Sequence, residues 1–169
     1  APESEEECAA LIAIIRPGTL KAIFNNKSMT EHFSDRKSGK DDVIYLDPCL
    51  EPILKSTYGV LVYQEQAMLI AVRVAGFNEM EADNLRKAIG KKKAELMAEI
   101  RGQFIEGCER VGLVDSDTAN QIFDWIEKSS RYSFNKSHAV AYARNSYNSA
   151  WFKANHTKEF FLSYLFFAN

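Results

Sequence analysis

The densest charge in this 169-residue chain is Leu85-Arg86-Lys87-Ala88-Ile89-Gly90-Lys91-Lys92-Lys93, with five cations in eight positions around a glycine. Clustered ammonium and guanidinium groups suit an anion with several oxygens, such as a phosphate. Arg86 and Lys87 also suit the last turn of a helix that Gly90 ends, where the dipole favours cations without any ligand. Lys91 to Lys93 then precede the next helix, whose N-terminus repels cations. They are either a solvated run or part of a site that an anion completes. A second constellation, Tyr132-Ser133-Phe134-Asn135-Lys136-Ser137-His138-Ala139, places aromatic, amide, ammonium, hydroxyl and imidazole groups at the opening of a helix. The free N–H groups of that opening, with Lys136 and His138, make an anion site; Asn135 or Ser137 as N-cap, with Tyr132 and Phe134 as core plugs, makes an ordinary capped helix. A third stretch, Thr57-Tyr58-Gly59-Val60-Leu61-Val62-Tyr63-Gln64-Glu65-Gln66, leads from a turn glycine through polar groups into an apolar helix.

No glycine-rich phosphate loop, nucleophile elbow or acidic pair in a strand-turn setting accompanies these groups, so neither a metal centre nor a nucleophile is expected in the chain. His32 and His156 stand apart from the other candidates. Cys8, Cys49 and Cys108 lack Cys-x-x-Cys or Cys/His spacing and are expected as small buried or half-buried residues in a reducing, cytoplasmic setting.

The elements that must carry these groups read as helices almost throughout, with apolar residues recurring at three and four. The expected fold is all-α, an irregular set of helices interrupted by one loop-rich segment near residues 25–52, with at most a short extended piece at Val43-Ile44-Tyr45. Ser4 and Glu7 predict a capping box for a first helix carrying Leu11, Ile12 and Ile15, stopped by Arg16-Pro17-Gly18. Val60 to Ala75 is apolar nearly all round and predicts a central helix with Gln64, Glu65, Gln66 and Arg73 as polar exceptions that need partners if buried. Leu96, Ile100, Phe104 and Cys108 form one amphipathic face. Ala119, Ile122, Phe123 and Ile126 form another, behind Asp115 and Ser116 as caps. The last two helices are expected at about 137–154, burying Val140, Tyr147 and Trp151, and at 158–167.

Hydrophobic content of 46% is ample for a packed core, and 21 Lys and Arg against 23 Asp and Glu give a charge of −2. That balance excludes a polycation that coats nucleic acid, so any such contact must be local. No apolar run approaches bilayer length, the acidic opening Glu3-Ser4-Glu5-Glu6-Glu7 is opposite in sign to an export leader, and no membrane partner is expected. The first residue other than Met and the apolar close Leu165-Phe166-Phe167-Ala168-Asn169 are what a piece of a larger structure would show.

Taken in order, Arg16-Pro17-Gly18, Tyr58 to Gln66, Leu85 to Lys92 and Phe134-Asn135-Lys136-Ser137-His138-Ala139-Val140-Ala141-Tyr142 resemble the motif series of family C polymerases, the bacterial replicative DNA polymerase III alpha subunits. The resemblance implies that residues 1–169 are a fingers-domain fragment of a larger polymerase. The metal-binding aspartates and Mg²⁺ would belong to a palm outside this chain, where a primer 3′-hydroxyl attacks the α-phosphate of a deoxynucleoside triphosphate. It implies that Arg86, Lys87, Lys91, Lys136 and His138 face the triphosphate or nucleic-acid backbone. Tyr63, Gln64, Tyr132, Asn135 and Ser137 would support the pocket or base pair. Implied partners are DNA primer-template, deoxynucleoside triphosphates and the other polymerase domains; the fragment itself would bind no metal and extend no primer. Lys87 stands where many members carry a second Arg, and Arg131 and Ser133 where glycines are common, which alters the phosphate geometry. The rival from another class is a non-enzymatic helical module that binds nucleic acid or serves as scaffold.

Overall fold

The computed structural model describes residues 2–21, 23–24, 26–91 and 94–167. The fold is all-α, as expected, with one two-stranded hairpin. α1 (Glu5–Ile14) opens where Ser4 Oγ accepts from Glu7 N at 3.1 Å. The Glu7 carboxylate, expected to complete a capping box, instead takes the Glu3 amide, Lys37 and Tyr58. The buried face of α1 is Ala9, Ala10, Ala13 and Ile14, while Leu11 and Ile12 are half-buried and Ile15 is exposed past the helix end. α2 (Pro17–Lys21) begins on Pro17, whose missing N–H costs nothing at a first helical position.

β1 (Ile23–Phe24) pairs antiparallel with β2 (Lys27–Ser28), and α3 (Met29–Lys37) follows under a complete Ser28–Glu31 capping box. This corrects the loop-rich expectation for residues 25–52. Among the described residues of that segment the chain is irregular at the Asn26 turn and from 38 to 47, then forms a short 3₁₀ turn at Pro48–Leu50 and α4 (Glu51–Leu54). α3 carries no clear helical signature because only Met29 and Phe33, one turn apart, are buried on an otherwise polar helix. Val43-Ile44-Tyr45 forms no strand among the described residues.

After a 3₁₀ turn at Lys55–Thr57, Tyr58 and Gly59 both take left-handed backbone conformations, with φ of 52° and 72°. A Cβ at Gly59 would sit 3.0 Å from both Arg36 Nη1 and Ile44 O, so this turn favours glycine twice over. Val60 to Val62 are extended and α5 (Gln64–Ala75) starts after them, which corrects the single helix expected from Val60. The extended stretch has a purpose in packing. Alternation sends Leu61 into one core and Val60 and Val62 into another, so the segment joins the two. α5 is also less enclosed than expected, with Leu69, Val72 and Arg73 exposed.

α6 (Glu79–Lys91), α7 (Ala94–Val111) and α8 (Ser116–Ser130) complete the larger core with α5. Ile100, Phe104, Cys108, Ala119, Ile122, Phe123 and Ile126 are all buried there, as their spacing predicts, and each large apolar side chain contributes about 1.5–3 kcal/mol by leaving water. Asp115 caps α8 through Thr118 N at 2.7 Å. Gly107 lets α7 cross the end of α5 closely, because a Cβ there would collide with the Ala75 carbonyl oxygen. Gly90 does not end α6. The helix runs through it to Lys91, since Leu85, Ala88 and Ile89 are buried and their packing outweighs the roughly 1 kcal/mol a helical glycine costs. Lys92 and Lys93 lie outside the described residues.

The smaller core joins α1 and α3 to α9 (Lys136–Asn155), where Ala139 and Ala143 meet Ala9, Ala10 and Ala13. Small side chains here bring the two helices together closely. Beyond Ala143 α9 packs against α10 (Thr157–Phe167), and Tyr147 and Trp151, expected to be buried, are 67% and 45% exposed, while Val140 is half-buried. None of the α10 residues is buried.

Candidate functional site

Two motifs far apart in sequence are joined at the starts of α5 and α9. Phe134 N donates to Val62 O at 2.9 Å and Gln64 N donates to Phe134 O at 3.0 Å, forming a one-step parallel bridge between residues 63 and 134. Gln66, buried at the foot of α5, holds the other side of that strand. Its Oε1 accepts from Val62 N and Tyr63 N, and its Nε2 donates to Thr57 Oγ1 and Ile53 O. Both hydrogen-bonding ends of the amide are therefore satisfied, as a buried polar group requires.

Arg16 secures the turn before α9. Its Nη2 donates to Tyr132 O at 2.6 Å, its Nε donates to Ala13 O, and its guanidinium lies 4.6 Å from the Phe134 ring centre. Burial lowers the pKa of this guanidinium. Asn135 is the N-cap of α9: its Oδ1 accepts from His138 N at 2.9 Å and from Ser137 Oγ at 2.6 Å. Glu65 reaches over from α5, accepting from Asn135 Nδ2 at 3.1 Å and from Lys136 N at 3.0 Å. The helix opening thus already holds a carboxylate, whose charge complements the positive end of the helix dipole. Lys136 Nζ lies 5.7 Å from the Tyr63 ring centre, and the His138 ring sits between Phe134 and Tyr142. Burial pushes the Tyr63 phenol up to about 12, with Glu6 and Glu65 adding to the effect, so it stays protonated at neutral pH. Lys136, Ser137 and Arg144 line, with Glu65, a shallow groove of about 690 Å³ that is open to solvent.

The structure therefore brings Tyr63, Gln64, Asn135, Lys136, Ser137 and His138 together, with Tyr132 anchored beside them by Arg16. Arg86 and Lys87 are elsewhere, on α6. Both pair with Asp83, at 2.7 Å for Arg86 Nη2 and 2.7 Å for Lys87 Nζ, and the bonds from Lys87 and then Arg86 lower the Asp83 pKa. Lys91 is the last residue of the same helix. Arg86 and Lys87 thus meet Asp83, whereas Lys136 meets Glu65 through its N–H and the Tyr63 ring through its Nζ. The roles of Glu65 and Arg16 are not legible in the sequence, because their partners lie about 70 and 116 residues away. A buried-helix motif with a carboxylate beside its first turn was the available signal for Glu65.

A second cavity, about 440 Å³, lies between α3, the Gly59–Leu61 stretch and α8 and holds none of these residues. The α5–α9 seam is the better candidate because it gathers cations and N–H groups around one groove. Among the described residues no cluster of three or more His, Cys, Asp or Glu could hold a metal, and no helix is long and apolar enough to cross a membrane. Burial pushes the Cys49 thiol up to about 12 and the Cys108 thiol up to about 11, so neither supplies a thiolate at neutral pH.

Residues 1–112 match the bacterial DNA polymerase III alpha subunit finger domain. Over 160 residues the chain is 46% identical to the DNA polymerase III subunit alpha of Aquifex aeolicus, a match that covers 95% of this chain and 13% of that protein. The corresponding subunits of Pseudomonas aeruginosa and Escherichia coli K12 are 45% and 43% identical, over 97% and 94% of this chain and 14% of each relative. The chain spans about one seventh of the length of these relatives. Its helical fold, its motif order and these matches agree, and the chain belongs to the bacterial DNA polymerase III alpha subunit finger domain family.

Proposed function

We propose that this chain is the fingers portion of a DNA-directed DNA polymerase, and that it grips the triphosphate of the incoming deoxynucleotide and contacts the primer-template. The observation that carries this is the α5–α9 seam, where Lys136 stands on a helix opening braced from three sides by the Phe134 bridge, Arg16 and Glu65. Charge-assisted bonds from such a braced cation position a phosphate better than a mobile surface lysine does. Arg86 and Lys87 add to the grip from α6. Their present partner Asp83 forms half-exposed pairs of little worth, so exchanging it for a phosphate oxygen costs little.

Among the described residues no cluster of three or more His, Cys, Asp or Glu could hold a metal ion, and this reading assigns the Mg²⁺ of the polymerase reaction to carboxylates of another domain. The exposed aromatic side of α9 and α10, including Tyr147, Trp151, Phe152, Phe161 and Tyr164, is a fit surface for the other polymerase domains, since so much apolar area is costly to leave in water. The test is steady-state primer extension by the full-length polymerase. Arg86→Ala and Lys136→Ala each raise the KM for deoxynucleotide about ten- to a hundredfold, the worth of one charge-assisted bond, with the melting temperature nearly intact. Phe104→Ala, a core truncation, lowers stability by about 3–5 kcal/mol instead. Normal nucleotide dependence in both cation variants would make their clusters solvated surface and defeat the proposal.

A further inference from the structure

Glu65 uses both carboxylate oxygens on α9: Oε1 on Asn135 Nδ2 and Oε2 on Lys136 N. The first of these bonds does more than tie two helices. A carboxylate only accepts, so it can face the NH₂ of Asn135 and not its oxygen. With Nδ2 committed to Glu65, Asn135 Oδ1 is turned to the helix, where His138 N and Ser137 Oγ donate to it. Were the amide turned round, oxygen would face carboxylate and NH₂ would face the His138 N–H. Glu65 thus fixes the orientation of the N-cap, and through it the first turn that carries Ser137 and His138.

The second bond acts on Lys136 directly. Its N–H is one of the groups a helix start leaves without an intrahelical partner, and holding it fixes the backbone from which the Lys136 side chain departs. The Phe134 bridge sets the approach of the same segment from the other direction. Lys136 is therefore aimed by α5, an element distant in sequence.

We propose that Glu65 is a positioning residue for nucleotide binding, holding the α9 opening so that Lys136 meets the triphosphate in one pose. This rests on the assignment of Lys136 to the triphosphate. Glu65 touches no substrate in this account. Its negative charge alone would repel a triphosphate, so the proposal and simple electrostatics predict opposite signs for its removal.

The experiment uses the full-length polymerase with Glu65→Ala, Glu65→Gln, Lys136→Ala and the double variant Glu65→Ala/Lys136→Ala, measuring KM and kcat for deoxynucleotide and the melting temperature. Glu65→Ala should raise KM about three- to tenfold, the worth of the lost aim, with kcat within about twofold. The double variant should be no worse than Lys136→Ala alone, because Glu65 acts through Lys136. Glu65→Gln keeps one acceptor and should fall between wild type and Glu65→Ala; it also serves as the deciding variant if Glu65→Ala melts early. Losses that multiply in the double variant would make Glu65 a general structural residue, and a KM that falls in Glu65→Ala would make it a competing anion. Either overturns the proposal. A raised KM in Lys136→Ala beside a silent Glu65→Ala and Glu65→Gln defeats the positioning role alone, whereas a silent Lys136→Ala defeats the triphosphate assignment and the positioning role together.

Discussion

Replacing Gln66 with Leu would keep the volume at the foot of α5 and remove only its hydrogen bonds. The side chain is 4% exposed, and the strand it serves is as enclosed, with Val62 at 1% and Tyr63 at 2%. Val62 N and Tyr63 N donate to Gln66 Oε1 at 2.9 and 3.0 Å, and a leucine leaves both N–H groups without that acceptor. Each orphaned buried donor costs about 1–3 kcal/mol, giving about 2–6 kcal/mol in all, from which the extra apolar burial of leucine subtracts about 1 kcal/mol. Thr57 Oγ1 is spared, since Leu54 O and Val60 O lie within its reach. A net loss of about 3 kcal/mol should lower the melting temperature by roughly 6–12 °C for a chain of this size. Urea unfolding followed by circular dichroism, with the slope unchanged, measures the same quantity. A loss under about 1 kcal/mol would refute the reasoning, because it would mean that the two amides do not depend on Gln66. The effect reaches the site as well: Val62 O accepts from Phe134 N, so a loosened strand loosens the α9 opening.

Gly107→Ala in α7 should destabilise the fold strongly, although a glycine-to-alanine change in an open helix gains about 1 kcal/mol, because the new Cβ meets the Ala75 carbonyl; a thermal melt at or above wild type would contradict the close crossing. Glu7 is held at about 2, down from 4.5, chiefly by its bonds from Lys37 and then Tyr58. Its folded value lies below its unfolded one, so this stabilisation is complete above about 4.5 and drains as the pH falls toward 2. Wild type should therefore lose more stability than Glu7→Gln between pH 5 and 2, as read by unfolding midpoints across about that range. Ala139→Leu should cost about 1–3 kcal/mol by overpacking the alanine contact between α1 and α9, and a neutral melt would show that the contact is slack.

Where a helix carries its own amphipathic face, its sequence was enough. Ile100, Phe104 and Cys108 on α7 and Ala119, Ile122, Phe123 and Ile126 on α8 lie in the core their spacing requires, and Asp115 and Asn135 cap the helices they precede. Three of the expectations that failed have distinct physical causes. α3 buries two apolar side chains on an otherwise polar helix, so its sequence resembles a loop. Gly90 obeys the packing of its neighbours rather than its own preference. Tyr147 and Trp151 have the composition of a buried face, but the described residues leave them 67% and 45% exposed. At the candidate site the capping chemistry of Asn135 was legible, while Glu65, Arg16 and the Phe134 bridge were not, because each acts over a long sequence separation that local patterns do not encode.

The central claim is that Lys136 and Arg86 hold the triphosphate. Equilibrium binding of a non-hydrolysable deoxynucleotide analogue to the full-length polymerase on primer-template tests it most directly, free of any change in the chemical step. Lys136→Ala and Arg86→Ala should each raise the Kd about ten- to a hundredfold at fixed salt, with unchanged melting temperatures. A Kd equal to wild type in both variants would contradict the account.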